Sequence, residues 1–167
     1  MKTENIQIGK GVDIDPSSTI NNTVLGDRVR IAKQCSVFGG PNNLLNIGAD
    51  SYIGMNAIIE GFNEKITIGT HVSIAPNVYI MSGSGPNASS ELQNIFPIVK
   101  APISIGDHTW IGAGVVIMPG VSLGKYCVVA VNSFVNESFP DFAVIGGTPA
   151  RLIRELTKEE RIRLKTS

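Results

Sequence analysis

Apolar residues recur every six positions between residues 105 and 138, where Ile105, Ile111, Ile117, Leu123, Val129 and Val135 each open a hexad. The hexads read I-G-D-H-T-W, I-G-A-G-V-V, I-M-P-G-V-S, L-G-K-Y-C-V, V-A-V-N-S-F and V-N-E-S-F-P. In the first five, a small or medium side chain follows four places on: Thr109, Val115, Val121, Cys127 and Ser133. The same phase occurs earlier at Ile8 and Ile14, Leu25 and Ile31, Ile47 and Ile53, and Ile68, Ile74 and Ile80. An amphipathic helix spaces its apolar positions by three and four, and a long flat strand alternates at two. A period of six predicts short strands that turn once per hexad. First positions then point into a narrow prism, and fifth positions fill space beside its corners. Glycine at the second position, as in Gly106, Gly112 and Gly124, is expected to give the backbone its freedom to turn. Each coil buries its apolar face only against the next, so the stack is a solenoid that needs capped ends.

The phase breaks near residues 21–24, 38–46, 60–67 and 81–104. The last break is the longest and is rich in Gly, Ser, Asn and Pro. Loops longer than about 12 to 15 residues are uncommon without a function, which marks this excursion as a candidate site element. After Phe139 the pattern stops, and Pro140, Gly146, Gly147 and Pro149 predict an irregular segment wrapping the end of the ladder. Thr157 and Glu160 have capping-box spacing, which predicts a short helix starting at Lys158. The organisation expected is a repeat domain over 1–138, with the excursion at 81–104, and a wrapping segment with a helix over 139–167.

Composition narrows the class. Ile (22) and Val (15) outnumber Leu (8), which disfavours an all-helical fold. Lys plus Arg equals Asp plus Glu at 14 each, so the chain lacks the basic excess of a nucleic-acid binder. No stretch approaches a membrane span and the first ten residues lack a signal-peptide apolar region. Cys35 and Cys127 have no metal or redox spacing. A soluble cytoplasmic protein without membrane insertion is the expectation.

Tandem [LIV]-G-x-x-x-x hexads, together with W-I-G-A-G-V-V-I-M-P-G-V and the later G-G-T-P-A-R, resemble the hexapeptide-repeat acyltransferases, the group that includes maltose and galactoside O-acetyltransferases and bacterial polysaccharide acetyltransferases. The resemblance runs from about residue 5 to residue 154. It implies an all-β fold, a left-handed parallel β-helix with three hexads per coil, although ordinary parallel crossovers are right-handed. It further implies a homotrimer that uses acetyl-CoA, a sugar or nucleotide-linked sugar as acceptor, and a place in surface-polysaccharide synthesis. The other class of reading is a catalytically weakened coenzyme- or sugar-binding β-helix protein.

By resemblance, Trp110 lines the pantetheine cleft, a role its large flat apolar face suits, although a corner tryptophan can also serve packing alone. Backbone groups of Ala113 and Val131 match positions that line the same cleft. Arg151 and Arg154, beside Gly146 and Gly147, are candidate phosphate ligands of the coenzyme, since guanidinium groups bind phosphate in charge-assisted geometry. The family often has Lys near the position of Glu137, and an acid there weakens phosphate binding.

Family members that acetylate hydroxyls carry a histidine as general base just after the coil that reads I-A-P-N-V-Y-I here. This chain continues M-S-G-S-G-P-N, with Gly83 or Gly85 where that histidine belongs. Ser82, Ser84, Asn87 and Ser89 are the polar groups there that could orient an acceptor. His71 and His108 stand at fourth hexad positions and are expected to face outward; they are the remaining candidates for a base, supplied across a trimer. With two histidines and no third ligand, a zinc site of the γ-class carbonic anhydrase kind fits poorly, so no metal is expected. Both cysteines are expected to be small buried hydrophobes. An amine acceptor is less demanding than a hydroxyl, because its free base is already a nucleophile.

Overall fold

The computed structural model describes residues 5–164. The chain is a left-handed parallel β-helix of six coils, each contributing one short strand to each of three parallel sheets. The first face carries Ile6–Ile8, Thr23–Leu25, Leu45–Ile47, Ile66–Ile68, Ile103–Ile105 and Ser122–Leu123. The second carries Asp13–Ile14, Arg30–Ile31, Tyr52–Ile53, Ser73–Ile74, Trp110–Ile111 and Val128–Val129. The third carries Thr19–Asn21, Ser36–Gly39, Ile58–Gly61, Tyr79–Met81, Val116–Ile117 and Phe134–Val135.

First positions of the hexads stack in register. Ile31, Ile53, Ile74, Ile111, Val129 and Ile145 form one buried column on the second face. Val37, Ile59, Ile80, Ile117 and Val135 form another on the third. The β-branched side chains suit a pleated surface, and each fills the space left by its neighbour one rung, about 4.8 Å, away. Fifth positions are buried as predicted, and where they carry hydroxyls these join coils: Thr109 Oγ1 accepts from the Cys127 N–H at 3.3 Å and donates to the Gly124 carbonyl at 3.0 Å.

The expectation about glycine needs correcting. Gly106, Gly112 and Gly124 do not turn the chain; the left-handed residues are at fourth positions, including Arg28, Asp50, His71, His108, Tyr126 and Asn132 with φ between 55° and 60°. This conformation costs an L-residue roughly 1–2 kcal/mol. Offsetting it, fourth-position N–H groups donate to third-position carbonyls of the preceding coil, as from His71 to Ala49 and from His108 to Thr70, both at 2.9 Å. Glycine occupies second positions for clearance: a Cβ on Gly106 would lie 2.5 Å from the Gly124 carbonyl carbon.

The segment after Phe139 is also more regular than predicted. Ala143–Gly147 adds a seventh rung to the second face, and Ala150–Glu155 returns antiparallel along it. The helix spans Lys158–Arg163 with Thr157 and Glu160 in a reciprocal capping box, as the spacing predicted. The last three residues of the predicted segment 139–167, residues 165–167, lie outside the described residues. The excursion leaves the ladder after Met81 and rejoins it at Ile103, and holds the antiparallel pair Gly83–Ser84 with Val99–Lys100 and a one-turn helix, Ser90–Gln93.

Candidate functional site

Side chains that alternate with the core column of the second face point outward. Register places Trp110, Val128, Val144 and Arg154 in one outward row. Three rungs separate the indole from Arg154, about 14 Å at the usual strand spacing. A β-bulge sets this up. Ile145 pairs with Leu152 but Val144 with Arg154, so Ile153 is the extra residue. Without it Arg151 and Arg154 would alternate to opposite sides; with it, Arg151 opposite Gly146 and Arg154 opposite Val144 share the outward side.

Ala113 and Val131 lie on adjacent coils at the corner between the second and third faces, linked by the Asn132 N–H donating to the Ala113 carbonyl at 2.8 Å. Trp110 is 56% exposed, Val131 63% and Ile153 63%, so this edge presents an apolar ridge to solvent. The structure therefore gathers Trp110, Ala113, Val131, Gly147, Arg151 and Arg154 along one edge.

Both arginines already have partners. Arg151 Nη1 donates to Glu137 and to the Ala150 carbonyl. Arg154 holds Glu160 through two hydrogen bonds, 2.7 and 3.0 Å, which raises the guanidinium pKa and holds the Glu160 carboxyl below its usual range. Arg154 thus anchors the C-terminal helix. The Gly147 N–H, with φ +107°, donates to Ser133 Oγ at 3.1 Å.

The loop candidates lie elsewhere, at the corner between the third and first faces. Ser82 is buried and structural: its Oγ accepts the Glu64 N–H at 3.0 Å and its own N–H donates to the Glu60 carbonyl at 2.9 Å. Ser89 caps the one-turn helix by accepting from the Leu92 N–H at 3.2 Å. Those two serines are therefore occupied, leaving half-buried Ser84 and exposed Asn87 as acceptor-facing candidates. The two glycines differ. A Cβ on Gly85 would come within 2.7 Å of the Ile98 Cα, whereas at Gly83 it would meet only the Asn63 side chain.

His71 and His108 are exposed but occupy the corner between the first and second faces, away from the excursion. Their rings stack at 4.7 Å and continue through Tyr126 at 4.8 Å and Phe142 at 5.5 Å. Burial raises the pKa of both Cys35 and Cys127 thiols, the opposite of an activated nucleophile. Among the described residues no group of three or more His, Cys, Asp and Glu is arranged to hold a metal. Nor is any helix among them long and apolar enough to cross a membrane.

One residue of this corner gave no sequence signal. Glu60 lies in a break of the phase, on the rung between Phe38 and Met81, half-buried. Burial alone pushes its carboxyl pKa up.

A family model described as bacterial transferase hexapeptide (six repeats) matches residues 102–137, and one for the hexapeptide repeat of succinyl-transferase matches residues 45–82. Galactoside O-acetyltransferase of Escherichia coli is 36% identical over 118 residues, covering 70% of this chain and 57% of the relative. A solved hexapeptide-repeat-containing acetyltransferase of Vibrio cholerae, complexed with acetyl coenzyme A, is 30% identical with a TM-score of 0.62, covering 85% of this chain and 72% of that one. An N-acyltransferase from Bacillus cereus, solved with dTDP and 3-hydroxybutyryl-CoA, shares the fold with a TM-score of 0.80 at 24% identity, covering 95% of this chain and 86% of that one. A variant of it was solved with dTDP-4-amino-4,6-dideoxyglucose and coenzyme A. The chain spans about three fifths of the length of several curated relatives it matches.

Proposed function

We propose a function for this chain from the family to which it belongs, the hexapeptide-repeat acyltransferases: transfer of an acetyl group from acetyl-CoA to an amine of a sugar or nucleotide-linked sugar, in the cytoplasm, within surface-polysaccharide synthesis. The observation that carries the amine is the corner after Met81, which reads S-G-S-G-P-N with no histidine; by the resemblance, Gly83 or Gly85 falls where O-acetylating family members carry theirs. Without an imidazole there, no histidine on the excursion takes the proton of a weakly acidic hydroxyl as it attacks. Loss of a general base usually lowers rate about 10²- to 10⁴-fold. An amine that arrives unprotonated needs no such help to begin its attack.

In this reading the coenzyme lies along the edge of Trp110, Ala113, Val131 and Gly147. Its pantetheine follows the indole face, and its phosphates exchange with Glu137 for Arg151. Arg154 reaches phosphate only by sharing itself with Glu160. The coenzyme edge and the excursion lie at opposite ends of the third face, about five extended residues or ~16 Å apart. One copy of the chain therefore presents two half-sites. A homotrimer joins them by setting the excursion of one copy against the coenzyme edge of the next, giving three sites per assembly.

The test is release of free thiol from acetyl-CoA with two matched acceptors, dTDP-4-amino-4,6-dideoxyglucose and dTDP-glucose. The amino sugar is expected to be acetylated with kcat/KM at least a hundredfold above the hydroxyl sugar. Equal use of both acceptors contradicts the amine assignment.

A further inference from the structure

Resting on the acyl-transfer reading above, we propose that Glu60 is the catalytic base of this site, taking a proton from the acceptor's ammonium group through its solvent-facing carboxylate oxygen. Three observations meet at this residue. Asn63 Nδ2 donates to Glu60 Oε1 at 3.4 Å, and among the described residues the second oxygen, Oε2, has no hydrogen-bond partner. No buried side-chain oxygen or nitrogen among the described residues lacks a partner, so Oε2 faces solvent. Asn63 also fills the space in front of Gly83, where a Cβ would meet its amide. Glu60, Asn63 and Gly83 are thus contiguous at the root of the excursion, one rung from Met81, where the loop begins.

A half-buried carboxylate with one oxygen fixed and the other open is arranged to meet a cation. The elements packed around it are the rungs of Phe38 and Met81, the turn through Asn63 and Glu64, and the pair Gly83 with Lys100. Glu64 and Lys100 are the titratable groups among these residues, and neither enters the shift of Glu60, whose cause is burial. That shift brings the carboxyl closer in basicity to an amine and strengthens it as a base.

The step balances without a further reactant. Glu60 Oε2 accepts one proton from the ammonium, and the freed nitrogen lone pair forms the C–N bond at the acetyl carbonyl carbon. The C–S bond then breaks, the thiolate leaves and takes up the second nitrogen proton, and Glu60 returns its own to solvent. A neutral hydroxyl sugar offers no cation to the carboxylate, so the same group favours amine acceptors.

Glu60→Gln keeps the shape and removes the base. With acetyl-CoA and the dTDP-linked 4-amino sugar, kcat/KM for the acceptor is expected to fall about a hundredfold at pH 7 while KM for acetyl-CoA stays within twofold. The deficit should shrink above the pKa of the acceptor's amine, where the nucleophile arrives deprotonated from solution. Glu60→Asp should recover part of the rate, and thermal denaturation checks that each variant folds. A Gln variant within threefold of an active wild type, or one whose deficit is the same at every pH, overturns the role of Glu60 and leaves acyl transfer standing. A wild type that releases no thiol with this acceptor overturns both.

Discussion

A methyl group in the wrong place shows how tightly the second hexad position is held. Gly106→Ala would put a Cβ 2.5 Å from the backbone of the next coil, whereas at Gly61 the nearest atom lies at 3.4 Å. Overpacking of this kind costs roughly 1–3 kcal/mol. Urea titrations should show Gly106→Ala losing that much and Gly61→Ala clearly less; the reverse order would remove clearance as the reason for these glycines. Glu60 gives a prediction of opposite sign. Its folded pKa is raised by burial, so the folded state holds a proton that the unfolded state has already released. Stability therefore falls as pH rises from the unfolded value, near 4.5, through the folded one, and stays lower above it. Glu60→Gln should be more stable than wild type at pH 7.5 and no more stable below pH 4. At this scale the sequence was informative about core and fifth positions, whose chemistry repeats. It was silent about Glu60, because a lone carboxylate in a break of the phase carries no period, and about fourth-position residues, where Asn, His, Tyr and Arg share only a backbone angle.

In the proposed site the C-terminal hairpin links packing to coenzyme binding. Its bulge at Ile153 turns Arg151 and Arg154 to one side, and each then finds a glutamate. In the proposed site Glu137 competes with phosphate for Arg151, so Glu137→Gln should tighten acetyl-CoA binding by several-fold, while Arg151→Ala should weaken it about tenfold. Calorimetric titration reads both, and unchanged affinity in both takes Arg151 out of the site. Arg154→Ala should in addition loosen the helix. Arg161 helps hold that helix: its guanidinium lies 4.4 Å from the Phe142 ring centroid, at the end of the stacked corner, and it bonds to Glu155 and the Leu156 carbonyl. The capping box was legible from Thr157 and Glu160 because it is a local pattern. The hairpin was not, because Gly, Pro and a bulge hide the alternation that marks a strand.

Six coils bury a continuous core, yet the chain leaves outward apolar surface along the Trp110 edge and on the excursion, where Ile95 and Phe96 are 71% and 63% exposed. Such surfaces mark contacts with something else, and in the proposed trimer a further copy of the chain brings the two edges together. The fold was readable because a six-residue period has few physical solutions. The proposed shared site was not, since spacing along a chain says nothing of which corner meets which across an interface. Two variants should each be inactive alone: Trp110→Ala, which removes the coenzyme face, and a chain whose excursion is shortened by deleting residues 87–96. In a cyclic trimer of mixed composition, one interface in three keeps an intact excursion against an intact Trp110. Random co-assembly makes about three quarters of trimers mixed, so co-expression of the two variants should restore about one quarter of wild-type activity on the amino sugar. Recovery to about one third of wild-type activity in purified mixed assemblies is the result expected for acetyl transfer at a site built from two copies; mixed assemblies as inactive as their parents would contradict it.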